Sequence, residues 1–223
     1  MATRVTMDEH QAPLAPRKRP KQSRSEATYA VILEAAARIL EEGKGTSFTT
    51  NHVAEKAGVS VGSLYQYFSC KEEILAALIR NMRSEMLEDI AAAASLSAGE
   101  CLADAATTLI NASVKHHLAR PNLSMVLERA EAGLPFDAET RQLKLRMVGI
   151  VSAMLASRNV PGPEQAARDA IAISHGLAEA AMQRGEADAG DLAKRMRRAV
   201  LGYLDALIHE HSASTSQQAV FIR

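Results

Sequence analysis

Apolar positions in this chain recur every three to four residues in long runs, and glycines, prolines and hydroxyl-bearing caps stand between the runs. Ser23 and Glu26 read as an S-x-x-E capping box that starts a helix. Ile32, Leu33, Ala36, Ala37, Ile39 and Leu40 follow at helical spacing until Gly43 stops the run. Thr49 is placed to cap a second, short helix bearing Val53, Ala54 and Ala57, which Gly58 ends. Ser60 caps a third, and Ser69 with Glu72 reads as another capping box, opening a long fourth helix from Lys71 towards Ser95. Beyond Gly99 an apolar-patterned run reaches about Ala119, and Pro121 fits the first turn of a shorter helix. Gly133 and Pro135 break the chain before a run from about Asp137 to Arg158, and "NVPGPE" is a firm break. Two more runs, about 163–184 and 190–211, precede a tail, "SASTSQQAVFIR", that is expected to fray. No stretch alternates with period two in β-branched residues. The expected fold is all-α, about nine helices, three short ones first and long ones after.

This pattern divides the chain into residues 1–22 as a disordered basic arm, 23–70 as a helix-turn-helix domain, 71–212 as a larger helical domain and 213–223 as a flexible tail. Composition adjusts the picture. Of 223 residues 47% are apolar but only 4% aromatic, with no Trp, so Ala, Leu, Ile and Met must fill the core. The formal net charge is zero and names no partner. The charge is uneven, however: Arg17, Lys18, Arg19, Lys21 and Arg24 lie close together with no acid among them, which reads as a solubilising tail or a nucleic-acid arm. Cys70 and Cys101 lack metal-ligand spacing, so neither a disulfide framework nor a metal site is expected, and a reducing cytoplasm is the default. No apolar run in residues 1–22 marks a secretory signal, and no window is apolar enough to span a membrane.

"TTNHVAEKAGVSVGSLYQYF" places two short helices around an Ala57-Gly58-Val59-Ser60 turn, the plan of a motif whose second helix enters the DNA major groove. Val53, Ala54, Ala57, Val59, Leu64 and Phe68 can pack inward. A wheel anchored on Leu64 and Phe68 sets Gly62, Ser63 and Gln66 outermost, with Tyr65 and Tyr67 flanking them in water. Phenol hydroxyls there could donate to phosphate, and Gly62 would allow close approach. Thr49, Thr50 and the free N–H groups beside them offer an anion site, and Lys71 adds a cation. Gln66 is the best bidentate candidate for adenine. The competing reading is a solvated surface helix with Tyr65 half-buried at a crossing.

The stretches "ILEAAARILEEG", "TTNHVAEKAGVSVGSLYQYF" and "SCKEEIL" resemble, in order and spacing, the N-terminal domain of TetR/AcrR-type transcriptional regulators, from about Arg24 to Ile79. The resemblance implies a dimeric bacterial DNA-binding protein with a small-molecule pocket in its C-terminal domain, whose ligand usually releases the operator. By position it implies that Ser63, Tyr65 and Tyr67 touch DNA, with Val61 and Gly62 at the helix entry. Thr49, Thr50 and Asn51 would meet the backbone or a nearby base, and Lys71 a phosphate. Position 61 is often polar or cationic in relatives, and Tyr67 stands where His is common, so base preference does not transfer. The arm through Arg17, Lys18 and Arg19 would lie in a neighbouring minor groove.

The C-terminal runs are apolar over more than half their girth and need covering on two sides. A partner subunit is the expected cover on one of them. The expected contacts of this homodimer are Ile171, Ser174, Ala178, Met182, Val200, Leu204, Leu207 and Ile208, against the alternative of an internal hairpin in a monomer. Methionines fill adaptable cavities, so Met82, Met86, Met125, Met147 and Met154 are the candidate pocket lining, with His117, Glu128 and His175 as polar anchors. His116 and His117 are adjacent, point about a hundred degrees apart on a helix, and cannot chelate one ion together.

The expected partners are therefore a double-stranded DNA operator, an unidentified small-molecule effector and a second copy of the chain, with no cofactor and no membrane. A ligand-independent DNA-binding regulator or activator is the alternative. A helical enzyme is more remote, because no G-x-S-x-G, phosphate loop, H-E-x-x-H or paired-carboxylate signature is present.

Overall fold

The computed structural model describes residues 23–43, 48–134 and 138–221. Its elements are α1 (Ser23–Glu42), α2 (Thr50–Ala57), α3 (Val61–Tyr65), α4 (Lys71–Leu96), α5 (Leu102–Ala119), α6 (Pro121–Gly133), α7 (Ala138–Ala156), α8 (Pro163–Gln183) and α9 (Ala189–Phe221). Among the described residues there is no strand, and no helix is long and apolar enough to cross a membrane. The basic arm, Arg17, Lys18 and Arg19 included, lies outside the described residues.

Local chemistry sets most of these boundaries. The Thr49 side chain accepts from the His52 N–H, and that of Ser60 from the Ser63 N–H, so both expected caps form. The break after α7 turns on Asn159 and Gly162, both at positive φ, and Pro163 then starts α8. Arg158 locks this corner to the α4–α5 turn by donating to the carbonyls of Ser97 and Glu100 at 2.8 and 3.0 Å.

Three features differ from the sequence reading. The start of α4 is capped by Cys70 backbone, and the side chain reaching back is Glu73, not Glu72: its carboxylate accepts from the Ser69 N–H and hydroxyl, both at 2.6 Å. The box is therefore one residue longer than S-x-x-E. The first helix is already long, at 20 residues. The last helix runs on to Phe221 where fraying was expected; the tail contains neither Gly nor Pro, so nothing in it breaks a helix once started.

Two cores form. The smaller gathers Ile32, Ala36 and Ile39 of α1, Val53 of α2, Leu64 of α3, and Phe68. It also takes Ile74, Leu78 and Met82 from α4 and Leu123 and Leu127 from α6, so it passes the expected boundary at residue 70. The larger core lies among α4, α5, α7, α8 and α9, around Ile90, Leu109, Leu155, Ala178, Met196 and Leu204. Helix α4, 26 residues and about 39 Å long at 1.5 Å per residue, contributes its first half to one core and its second half to the other.

Candidate nucleic-acid interface and ligand cavity

The turn between α2 and α3 closes on Gly58, at φ 66° and ψ 28°, a left-handed conformation that favours glycine. Leu64 and Phe68 are fully buried beneath it. Around that anchor Val61 and Tyr65 stand 40% and 41% exposed, and Asn51, Gly62, Gln66 and Lys71 are exposed as well. A methyl group at Gly62 would meet nothing nearer than the Ser60 hydroxyl at 3.9 Å, so the fold itself does not demand glycine there. Ser63 is half-buried, its hydroxyl 2.8 Å from that of Ser60. The Tyr65 hydroxyl lies 3.2 Å from that of Thr50, tying the two short helices together at their outer surface. Thr49 is exposed and Thr50 half-buried.

Tyr67 corrects the sequence reading. It is 7% exposed and belongs to the small core. Its ring meets Tyr29 edge-on at 6.2 Å, Tyr29 stacks on Phe68 at 5.2 Å, and its hydroxyl is 3.1 Å from that of Ser25. The cause is local. Helix α3 ends at Tyr65 and its last turn tightens, with Gln66 N–H donating to Ser63 and Tyr67 N–H to Leu64. Three residues per turn then set Tyr67 in line with buried Leu64, where a 3.6-residue wheel sets it about 60° round, on the flank of the outer face.

The larger domain encloses a cavity of about 410 Å³, within the usual range for small-molecule sites. Its wall is mostly aliphatic, from Ile90, Leu109, Ile110, Val148, Val151 and Leu155. Of the expected lining, Met86, Met147, Met154, His117 and His175 are there. Met82 is not: it is buried in the small core. Met125 is also absent from the wall, and Glu128 stands just behind it against the two histidines. The polar lining that the sequence reading missed is Arg83, Ser113, Lys144 and Arg168. Ser113 precedes His117 by one helical turn and Arg83 precedes Met86 by three residues, so helical spacing from the named residues was the available signal.

Electrostatics concentrate at one end of the cavity. Arg83 donates to Glu131 at 2.7 Å, and Lys144 pairs with the same carboxylate at 2.9 Å. Burial pushes the Glu131 carboxyl up, but the two cations outweigh it and hold it below the usual range. Glu128 goes the other way: burial raises it, and His175 and Arg83 only partly compensate. Burial lowers the His117 imidazole to about 4, against the hydrogen bond to the Ser113 carbonyl.

The expected dimer contacts are also corrected. Ala178, Met182, Val200 and Leu204 are buried within the protomer. Ile171, Ser174, Val200 and Leu204 line the cavity. The wide apolar faces of α8 and α9 are thus covered largely by α5, α7 and each other. Leu207 and Ile208 remain half-exposed. Among the exposed small residues are Ala172 and Gly176 on α8 and Gly202 and Ala206 on α9, each pair one turn apart.

Known proteins place the chain. No curated protein matches it in sequence. Among solved structures it is similar to a TetR-like transcriptional regulator from Rhodococcus sp. RHA1 at 19% identity and a TM-score of 0.63, covering 84% of this chain and 99% of that one. It is similar also to the fatty acid degradation regulator FadR of Bacillus halodurans (17%, TM-score 0.63, 78% and 98%). A third is SmeT, the repressor of the Stenotrophomonas maltophilia efflux pump SmeDEF (16%, TM-score 0.59, 80% and 91%). Residues 32–78 match the family described as bacterial regulatory proteins, tetR family, and residues 101–204 match the tetracyclin repressor-like C-terminal domain. With both its reading head and its larger helical domain so matched, the chain belongs to the TetR family of bacterial regulatory proteins.

Proposed function

We propose that the chain is a dimeric transcriptional repressor that grips an operator duplex through α2 and α3 and releases it when a small molecule enters the cavity. The observation that carries this reading is the short α3, buried at Leu64, holding Val61, Gly62, Tyr65 and Gln66 out to solvent. Val61 suits a thymine methyl, Gln66 an adenine edge, and Tyr65 with Thr49, Thr50, Asn51, Ser63 and Lys71 the backbone. Tyr67 supports the head from inside. Arg17, Lys18 and Arg19 add sequence-independent affinity, each phosphate neutralised steepening the salt dependence by about one log unit per log salt.

The effector that fits the cavity has an aliphatic or aromatic body and one polar end, the latter near His117, Ser113, His175 and Arg83. The structure of a SmeT–triclosan complex, similar to this chain at 19% identity and a TM-score of 0.54, supports a small-molecule ligand for this fold. The effector acts through unequal affinity for two dimer states. Three connections could carry it: α4, which joins Met82 to Met86; α6, which joins Leu127 to Glu128; and Arg120. Arg120 follows the α5 residue His117 by three and forks onto Glu41 of α1 through two 2.7 Å bonds, with a third of 2.9 Å to Glu34.

The test is to let the purified protein select fragments from its own genome, then titrate the complex with amphipathic molecules of cavity size. Selected duplexes that such a molecule displaces support the reading. Selected duplexes that none displaces favour a ligand-independent regulator, and no selection at all refutes DNA binding.

A further inference from the structure

Three metal-ligand side chains, distant in sequence, meet from three helices: His117 of α5, Glu128 of α6 and His175 of α8. Glu128 Oε1 lies 3.8 Å from His117 Nε2 and 3.6 Å from His175 Nδ1, and a ligand atom from each of the three lies within 4.8 Å of the others. We propose that this triad is the binding site for one divalent transition-metal ion of the zinc type, with an open coordination position towards the cavity.

The distances favour an ion over a plain polar cluster. At 3.6 and 3.8 Å the carboxylate oxygen is beyond good hydrogen-bonding range of both rings. Bonds of about 2.1 Å to a tetrahedral ion set ligand atoms about 3.4 Å apart; the two carboxylate–imidazole pairs stand a few tenths wider than that, and the two imidazoles lie within 4.8 Å of each other. His117 is also oriented for the role. Its Nδ1–H donates to the Ser113 carbonyl at 2.9 Å, which leaves Nε2, the nitrogen facing Glu128, to present its lone pair. Burial supports the same assignment: the side chains of His117 and Glu128 are 4% and 11% exposed. Arg83, the nearby cation that could neutralise Glu128, is already bonded to Glu131. Two imidazoles with one carboxylate suit zinc, cobalt or nickel, whereas magnesium and calcium prefer oxygen shells.

His117 and His175 both line the cavity, so a fourth ligand would come from that side, as water or as a donor atom of the effector. This last point rests on the cavity being the effector site; ion binding does not.

The full-length protein, stripped with chelator and dialysed, is titrated with Zn²⁺ by calorimetry and with Co²⁺ by visible absorption, without DNA or effector. One ion per chain is expected, with cobalt bands of a low-coordinate nitrogen–oxygen site and a raised melting temperature. His175→Ala, at a side chain 42% exposed, and Glu128→Gln should each lose the bound ion and the rise in melting temperature. The variant His209→Ala, at an exposed residue on α9, should keep both. Absence of a stoichiometric ion in the wild type, or its retention in both ligand variants, overturns the site and leaves the regulator reading standing.

Discussion

Single residues separate the reading surface from its support. Tyr65 and Tyr67 are two positions apart and chemically alike, yet one is 41% exposed and the other 7%. Removing the buried ring costs both packing and a cavity, so Tyr67→Ala should lower unfolding free energy by about 3–5 kcal/mol in chemical denaturation; a loss under 1 kcal/mol, the size of a surface substitution, would place the ring outside the core. Glu131 carries a pH signature. Its carboxyl is held below the usual range by Arg83 and Lys144, against burial. The unfolded chain binds this proton more readily, so the stabilisation is present above its unfolded value, near 4.5, and is lost as pH falls through the lower folded value. The melting temperature of wild type should therefore drop more steeply than that of Glu131→Gln below about pH 4.5; parallel curves would contradict the pairing. Residue types and spacing made Leu64, Phe68, Val53 and the exposed Tyr65 legible in advance. Tyr67 was misread because its orientation depends on where a five-residue helix tightens, and no residue type signals that.

Helix boundaries were legible wherever a side chain or glycine enforces them: Thr49, Ser60, Gly58 and the Gly162–Pro163 step all act as their chemistry predicts. What α8 and α9 pack against was not legible. Their periodicity shows that two sides need cover but not whether another helix or another subunit supplies it, so Ala178 and Leu204 were assigned to an interface though they are core. The cavity was half legible for a similar reason. Met86 and His117 are informative residue types, whereas the closure of α4, α5, α7, α8 and α9 around them is long-range. Arg120 is an element-scale device, linking the α5–α6 corner to α1. Partly exposed ion pairs contribute little to stability. Arg120→Ala should leave melting nearly unchanged while shrinking the factor by which effector weakens DNA binding, measured by anisotropy with and without effector. An unchanged factor would remove Arg120 from the connection.

For the whole molecule, operator binding by a two-fold dimer needs reading heads about 34 Å apart, one helical turn of DNA. The proposed dimer interface lies on the exposed surface of α8 and α9, through Ala172, Gly176, Gly202 and Ala206 with the half-exposed Leu207 and Ile208. A Cβ at Gly176 would meet nothing within 4 Å in its own protomer. Gly176→Arg should consequently leave the helical content intact, convert the dimer to monomer in sedimentation, and cost most of the operator affinity; a variant that stays dimeric would move the interface elsewhere. The most direct measurement for the account as a whole is the affinity of Tyr65→Ala for a genome-selected duplex, read by fluorescence anisotropy beside its melting curve. The prediction is a loss of at least about tenfold, equivalent to about 1.4 kcal/mol, with melting and dimerisation unchanged. Wild-type affinity in a correctly folded variant would contradict the claim that α3 presents this surface to DNA.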